Sequence, residues 1–184
     1  NDRFILRNQA KVYGRATARH IEVYDSFITD VPIVFPPILG CITDDFSQTP
    51  LSANWAAATS GGTFIPSIIG GRLQLTENKT NQATSVTYQR LFPAANNLVT
   101  IEFDQAAYGG NGADGIAMVL SDATVTPQPG SSGGPLGYGY KTNAPGFAGG
   151  WLGVGIDEFG NFRAEGGDNN QKRKANTVSI RGSG

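Results

Sequence analysis

The sequence predicts an all-β domain, and three observations lead to that fold class. Apolar and polar residues alternate in short runs, which is typical of strands with one buried face. Turn-forming residues separate these runs, since 25 Gly and 10 Pro occur among the 184 residues. No window of about twelve residues shows a helical period. Together these features favour a β-sandwich over a helical or an alternating α/β fold.

The alternating runs place most of the predicted strands after residue 70. Each run is bounded by Gly, Pro, Asn or Asp, the residues at which a strand most readily turns. The predicted strands are 72–76, 83–91, 98–104, 115–121, 149–157, 160–164 and 177–181. Trp55 and Trp151 both lie within apolar runs, so we expect both side chains in the core.

The chain divides into three segments that differ in sequence pattern. Residues 1–31 alternate with period two and predict a strand-rich arm, which is either the end of a β-solenoid or a pair of ordinary edge strands. Residues 32–43 contain three prolines, which disfavour both helix and central strand, and predict an extended linker. Residues 44–184 form the predicted sandwich, which we expect to be incomplete at its C-terminal side.

The composition excludes several classes of function. The formal net charge is −1 and the pI is about 5.8, so the chain lacks the basic field of a protein that binds mainly nucleic acid. No run approaches the roughly 20 apolar residues of a membrane helix, so we expect no direct membrane insertion. A single Cys and a single His exclude an internal disulfide and a His-rich metal site. The low fraction of charged residues, 16%, is typical of an extracellular β protein.

The stretch 155–162, with the sequence GIDEFGNF, is the strongest candidate for a functional site. It places Asp157, Phe159 and Asn161 at alternate positions at the end of a predicted strand. The Asp157 carboxylate, the Phe159 backbone carbonyl and the Asn161 amide would gather the oxygen ligands that a hard cation needs. An ordinary hairpin turn remains the alternative for this stretch.

Further motifs precede that stretch in the order found in a known family. Residues 112–120 read GADGIAMVL and residues 133–138 read GGPLGY. The series A-D-G-I-A, G-G-x-L-G and D-x-F-x-N resembles the L-type (legume-like, concanavalin-like) lectin superfamily, whose fold is a jelly-roll β-sandwich. Residues 44–184 look closest to the lectin-like domain of MshQ-type bacterial surface and MSHA-pilus biogenesis proteins. The runs GGNGADGIAMVLSDATVTPQPG, GFAGGWLGVGIDEFGNF and VSIRGSG carry this likeness.

The resemblance implies a carbohydrate site built from separate segments. Asp114 would accept hydrogen bonds from sugar hydroxyls, and its peptide bond with Ala113 would be cis. Gly134 would donate its backbone N–H to the sugar. Phe159 would stack on the pyranose face, and Asn161 would bond its hydroxyls. Without the resemblance, Asp114 could simply cap a tight turn flanked by glycines.

The resemblance also implies bound calcium beside the sugar. Its ligands would be Asp157, the Phe159 carbonyl and Asn161, and the ion would fix the Asp114 loop. A further acidic ligand would be Asp168 or Glu165, neither of which has the spacing of the family. Legume members carry a Glu where this chain has Gly155, so we expect calcium alone and no second metal.

Three functions therefore compete. The first is a calcium-dependent carbohydrate-binding or adhesion module at a bacterial cell surface or pilus, with a glycan as partner. The second is a structural subunit of an extracellular filament or surface assembly, in which another protein chain completes the sheet. The third is a glycoside hydrolase, which needs two facing carboxylates. We expect no enzyme, since Asp157 and Glu158 are adjacent and point to opposite faces of a strand. The run 172–174, Lys-Arg-Lys, is predicted to be a solvated loop.

Overall fold

The computed structural model describes residues 3–6, 20–23, 41–89, 98–165 and 172–183. All regular elements in these ranges are strands, so the predicted all-β class is confirmed. No helix there has the length and apolar character needed to cross a bilayer. The finer predictions, a concanavalin-like jelly roll and the end of a β-solenoid, stay predictions.

Nine strands form four small sheets within the described ranges. Strand β1 pairs with β2 in parallel, whereas β3 pairs with β6, β4 with β5, and β8 with both β7 and β9 in antiparallel fashion. The strands are β1 Arg3–Leu6, β2 His20–Val23, β3 Trp55–Gly61, β4 Ser67–Ile69, β5 Arg72–Gln74, β6 Ala83–Tyr88, β7 Gly115–Ser121, β8 Gly150–Asp157 and β9 Thr177–Gly182.

The chain divides into two compact units. One comprises Asn1–Thr43 and Phe92–Asp104, and it contains β1 and β2. The other comprises Asp44–Leu91 and Gln105–Gly184, and it contains the remaining seven strands. Residues 32–40 of the predicted linker lie outside the described residues. All of the described motifs at 112–162 therefore belong to the second unit.

Strand prediction succeeded where apolar alternation was strong. The prediction for 115–121 agrees with β7 at both ends, and those for β5, β6, β8 and β9 agree to within a few residues. Two strands, β3 and β4, were missed: consecutive alanines weaken the alternation in β3, and β4 has only three residues. Residues 98–104 are not a strand: they pair with no strand in the described part of the chain, and Ile101 and Phe103 are exposed.

The sheet β7–β8–β9 has a buried face made by glycines and aromatic rings. Gly153 and Gly155 of the central strand face inward, and both are buried. A Cβ at Gly153 would lie 2.7 Å from the Tyr138 ring, and a Cβ at Gly155 would overlap the Phe162 ring. The two rings lie 6.1 Å apart and are almost fully buried. Glycine at position 155 thus has a steric reason, since the Phe162 ring fills the space that any side chain there would need.

Polar contacts fasten this aromatic pair to strand β9. The Tyr138 hydroxyl donates a hydrogen bond to the Gly182 carbonyl at 2.8 Å. The Arg181 guanidinium donates to the carbonyls of Phe162, at 3.1 Å, and Glu165, at 2.7 Å. Burial lowers the pKa of Arg181 and raises that of Tyr138. Both groups are therefore partly desolvated, which strengthens their hydrogen bonds.

The opposite face of the same sheet is apolar and partly open to solvent. The register aligns Ile116 with Ile156 and Val178, and Met118 with Val154 and Ile180. Val178 is 67% exposed and Ile180 is 55% exposed. We call the following set the open face: Ile116, Met118, Leu120, Leu152, Val154, Ile156, Val178 and Ile180.

The two tryptophans have different environments. Trp55 is half-buried between Phe46 and Tyr88, with ring centroids 5.4 and 5.1 Å away, and its indole N–H donates to Asp44 at 2.8 Å. Trp151 is 63% exposed, so the prediction that it lies in the core was wrong. The pairing between β7 and β8 skips Trp151: Leu120 pairs with Leu152, and the next residue, Ser121, pairs with Gly150. This irregularity is a β-bulge, which aims the extra residue away from the regular alternation.

We predict that Gly155→Ala destabilises the fold by about 1–3 kcal/mol, because the added methyl group overlaps the Phe162 ring in a filled core. Urea denaturation followed by circular dichroism would measure the loss. Gly182→Ala is the matched control, since Gly182 also lies in a strand of this sheet but its Cβ would meet nothing within 4 Å. Equal destabilisation by both variants would contradict the packing explanation.

Candidate functional site

The candidate site lies where strand β7 begins and strand β8 ends. These strands are antiparallel, and Gly115 pairs with Asp157, so residue 114 and the 157–161 turn meet at one end of the sheet. The Asp114 carbonyl accepts hydrogen bonds from the backbone N–H groups of Glu158, at 2.9 Å, and Phe159, at 3.3 Å. The strand pairing therefore brings together the A-D-G and D-x-F-x-N motifs that the sequence analysis singled out.

Asp157 fixes the shape of the turn from inside. Its side chain is 1% exposed, and its two carboxylate oxygens accept backbone N–H groups from Gly160, at 2.6 Å, and Phe162, at 2.7 Å. A buried carboxylate is tolerated only when its oxygens are hydrogen-bonded. These bonds curl the backbone after β8, which explains why residues 160–164 form a turn and not the predicted strand.

The Asp114 loop has an unusual backbone. The peptide bond between Ala113 and Asp114 is cis, as the resemblance implies. Gly115 has a φ of 148°, a conformation that other residues rarely adopt. A Cβ there would also overlap the Ile156 carbonyl oxygen. Glycine at position 115 therefore allows the loop to approach the end of strand β8 closely.

The glycine-rich turn reaches the same place from a third segment. A Cβ at Gly134 would overlap Asn161 and the Glu165 carboxylate. A Cβ at Gly133 would lie 3.0 Å from the Lys141 ammonium nitrogen and 3.8 Å from an Asp114 carboxylate oxygen. Gly134 itself is buried beneath these neighbours, so its backbone N–H is less open to a ligand than the resemblance implies.

A small network of side chains surrounds this turn. Lys141 forms an ion pair with Glu165 at 3.0 Å, and the Asn161 side-chain amide donates to the other Glu165 oxygen at 3.2 Å. We call Asp114, Gly133, Gly134, Lys141, Asn161 and Glu165 the polar cluster. Sequence reasoning missed Lys141, because a lone lysine in a loop carries no motif, and considered Glu165 only as a calcium ligand.

The pKa of Asp114 is raised above its ordinary value. Burial is the largest cause, followed by the negative charges of Asp157 and Glu165, while the Lys141 ammonium opposes the shift. The carboxylate at the centre of the cluster is therefore under-compensated by the surrounding positive charge. A donor of hydrogen bonds or a cation placed against it would be stabilised.

Phe159 is covered by a residue that the sequence analysis assigned to a solvated loop. The guanidinium carbon of Arg173 lies 3.7 Å from the centroid of the Phe159 ring. The Arg173 Nε–H also donates to the Phe159 carbonyl at 2.8 Å. Both the ring and the carbonyl that the resemblance assigns to sugar and calcium are thus in contact with one arginine.

The fold brings some of the predicted site residues together and leaves others apart. Asp114 and Asn161 are half-buried within the polar cluster, and Gly134 is buried in it. Phe159 lies on the same turn with its ring under Arg173. Asp168, the predicted further calcium ligand, lies outside the described residues. All of these roles stay predictions.

The turn supplies part of the ligand set that calcium requires. Asp157, the Phe159 carbonyl and Asn161 supply hard oxygen donors within five residues, and each carbonyl or carboxylate oxygen can accept more than one contact. The Arg173 guanidinium stands as a cation on one of these oxygens. No group of three or more His, Cys, Asp or Glu in the described ranges is arranged to hold a metal. Calcium would therefore depend on backbone and amide oxygens beside the single Asp157 carboxylate.

Comparisons with known proteins give no family assignment. No protein-family model matches the chain, and no curated protein matches it. The resemblance to L-type lectins therefore rests on the sequence motifs alone and stays a prediction.

We predict that Asp114→Asn makes the protein more stable than the wild type at neutral pH, measured by thermal melting in EDTA. Because the folded-state pKa of Asp114 is raised above 3.8, its favourable contribution is fully present below that value and is lost as the pH rises through the folded-state pKa. The advantage of the variant should therefore disappear on acidification toward pH 3.8.

Asp122→Asn is the matched control for this experiment, because the pKa of Asp122 is lowered by hydrogen bonds from Thr124. That variant should be slightly less stable than the wild type at neutral pH. An Asp114→Asn variant that is equally destabilised at neutral pH would show that the Asp114 charge is well compensated after all.

Proposed function

We propose that residues 44–184 form a calcium-dependent carbohydrate-binding or adhesion module of a bacterial cell-surface or pilus-associated protein. The observation that supports it best is the meeting of Asp114, Gly134 and Asn161 in one polar cluster. These residues come from three separate segments, and only the fold brings them together. The same three positions carry the motifs that resemble L-type lectins.

The chemistry of the cluster suits sugar hydroxyls. A hydroxyl group both donates and accepts hydrogen bonds. The under-compensated Asp114 carboxylate would accept from one or two hydroxyls, and such charge-assisted bonds are stronger than neutral ones. The Asn161 side chain offers an amide beside it, and the flanking Glu165 and Lys141 extend the polar surface. Adjacent hydroxyls of a pyranose ring would match this arrangement.

Hydrolysis is the less favoured function at this end of the sheet. A glycoside hydrolase needs two carboxyl groups that reach the scissile bond from opposite sides. The Asp157 carboxylate is buried and accepts two backbone N–H groups, so it cannot reach the glycosidic bond of a sugar at the surface. We therefore propose binding without catalysis.

Calcium bound at the 157–161 turn would stabilise the proposed sugar site. Its proposed ligands are Asp157, the Phe159 carbonyl and Asn161, with an acidic ligand from Glu165 or Asp168. The ion would add positive charge next to Asp114, where negative charge now dominates. It would thereby hold the Asp114 loop and the turn in one arrangement.

We predict that the protein binds a subset of sugars on a glycan array and that Asp114→Ala reduces this binding at least tenfold, because a charge-assisted hydrogen bond is lost. EDTA should reduce binding by a similar factor, and calcium should restore it. Asp122→Ala is the control, since Asp122 is an exposed acid outside the polar cluster. Glycan binding that survives both Asp114→Ala and EDTA would contradict the proposed site.

A second candidate function, a structural subunit of a surface assembly, is favoured by the open face. Eight apolar side chains lie on one side of the sheet β7–β8–β9, and Val178 and Ile180 are more than half exposed. Contiguous exposed apolar surface of this kind marks interaction sites more often than chance. The proposed occupant is a second copy of this chain, because a filament or layer subunit meets its own copies.

We predict for this second candidate that Val178→Glu with Ile180→Glu lowers self-association in solution, measured by light scattering over a range of concentrations. Two charges on the open face would oppose burial against another copy. Ala123→Glu with Thr126→Glu is a control that adds the same two charges at exposed loop positions away from the open face. A wild type that stays monomeric at high concentration would exclude this candidate without affecting the first.

A further inference from the structure

The loop before strand β7 carries the single Asn-Gly pair of the chain, Asn111-Gly112. Both residues are exposed, and they come shortly before Asp114. Asparagine is one of the chemically labile residues. Glycine has no side chain to shield its backbone nitrogen, so the side chain of a preceding asparagine can approach that nitrogen closely. This pair is therefore the place in the sequence where the backbone can most readily attack a side-chain amide.

The fold leaves room for this attack. Gly112 has a φ of 86° and Gly109 has a φ of 77°, and a Cβ built on either would meet nothing within 4 Å. Tyr108, at the start of the loop, is 82% exposed. Within residues 98–165, no backbone hydrogen bond joins Asn111 or Gly112 to another residue. The loop can therefore rotate until the Asn111 side-chain carbon Cγ touches the Gly112 nitrogen, which is the geometry that ring closure needs.

The neighbouring Asp114-Gly115 pair has a similar sequence and opposite surroundings. An Asp-Gly pair undergoes the analogous ring closure when its backbone can turn. Gly115 begins strand β7 and pairs with Asp157, and a Cβ there would overlap the Ile156 carbonyl oxygen. The Asp114 carbonyl also accepts two backbone N–H groups. The fold therefore holds Asp114 away from ring closure and leaves Asn111 accessible to it.

We propose that Asn111 is a site of spontaneous modification, at which the folded protein converts its own asparagine into isoaspartate and aspartate. The Gly112 nitrogen gives its proton to a solvent base and bonds to Asn111 Cγ. The Cγ–Nδ2 bond breaks, and the nitrogen leaves with a proton as ammonia. Water then opens the cyclic imide at either of its carbonyls. The net change is water consumed and ammonia released, with no oxidation or reduction.

The modification places a new carboxylate on the loop that carries Asp114. Three residues of extended chain span at most about 11 Å, which is close to the Debye length of about 8–10 Å, so the new charge acts on Asp114. The pKa of Asp114 is already raised by burial and by the charges of Asp157 and Glu165, and another negative charge acts in the same direction. Isoaspartate also lengthens the backbone just before the close approach of Gly115 to strand β8.

The experiment incubates the intact protein in mildly alkaline buffer and follows each asparagine by peptide mass spectrometry. Asn111 should lose its amide, and faster at higher pH, because the attacking nitrogen must be deprotonated. Asn143 is the internal control: it is also exposed, but the next residue is Ala144, whose N–H donates to the Lys141 carbonyl. An Asn111 amide that persists, or equally fast loss at Asn143, would overturn the proposal.

Two further measurements test the part played by the fold. Asn111→Gln should slow amide loss at this position by at least about tenfold, since the longer side chain must close a larger ring. Electron-transfer fragmentation, which distinguishes isoaspartate from aspartate, should find isoaspartate at position 111 but not at 114 in the folded protein, and at both positions in the urea-unfolded chain. Much slower loss at Asn111 in the folded protein than in urea would contradict an accessible loop.

Glycan binding tests the consequence separately, and this part rests on the proposed function. Incubated wild type should bind glycan several-fold more weakly than fresh wild type, whereas Asn111→Gln should bind equally before and after incubation. If the incubated wild type contains isoaspartate but binds as the fresh protein does, the modification stands and its effect on binding is wrong. If the fresh protein binds no glycan, the proposed function is wrong, and the peptide masses alone decide the modification.

Discussion

The arrangement of the site depends on the way in which the Asp157 carboxylate is satisfied. A buried carboxylate costs several kcal/mol unless its oxygens find donors. Here the donors are the N–H groups of Gly160 and Phe162, so the chain must fold back within five residues of the strand end. This single constraint sends the Phe162 ring into the core and leaves Phe159 and Asn161 half-buried. The turn is thus set by the needs of a buried charge before any ligand arrives.

The glycines of strand β8 make the other half of this arrangement possible. Gly153 and Gly155 leave room for Tyr138 and Phe162, which link the glycine-rich turn and the 157–161 turn to the same face of the sheet. Arg181 then ties the backbone beyond Phe162 to strand β9. The Tyr138–Phe162 ring pair thus holds the glycine-rich turn and the 157–161 turn against strand β8. The polar cluster lies where the two turns meet. Small residues in the sheet therefore matter as much as the polar residues at its end.

Much of this could be predicted from the sequence, and the limits have physical causes. Strong alternation located β7, β8 and β9, and the motifs indicated Asp114, Gly134 and the 157–161 turn. The sequence could not indicate the roles of Arg173 or Lys141, because long charged side chains reach partners that no local pattern specifies. Residues 160–164 were predicted to be a strand, because a pattern of alternate residues cannot reveal that Asp157 binds their backbone. Trp151 was placed in the core, because a bulge in the register has no signature in an apolar run.

The bulge at Trp151 has a practical consequence for spectroscopy. The chain contains two tryptophans, and their indoles lie in unlike surroundings: Trp151 is 63% exposed, and Trp55 is half-buried against Phe46 and Tyr88. Their emission should differ in wavelength and in access to a soluble quencher. Trp151 also lies at the end of β8 opposite to Asp157, so its fluorescence reports on the far end of the strand that carries the site. The molecule thus contains its own optical probe of whether a disturbance at the turn travels along the sheet.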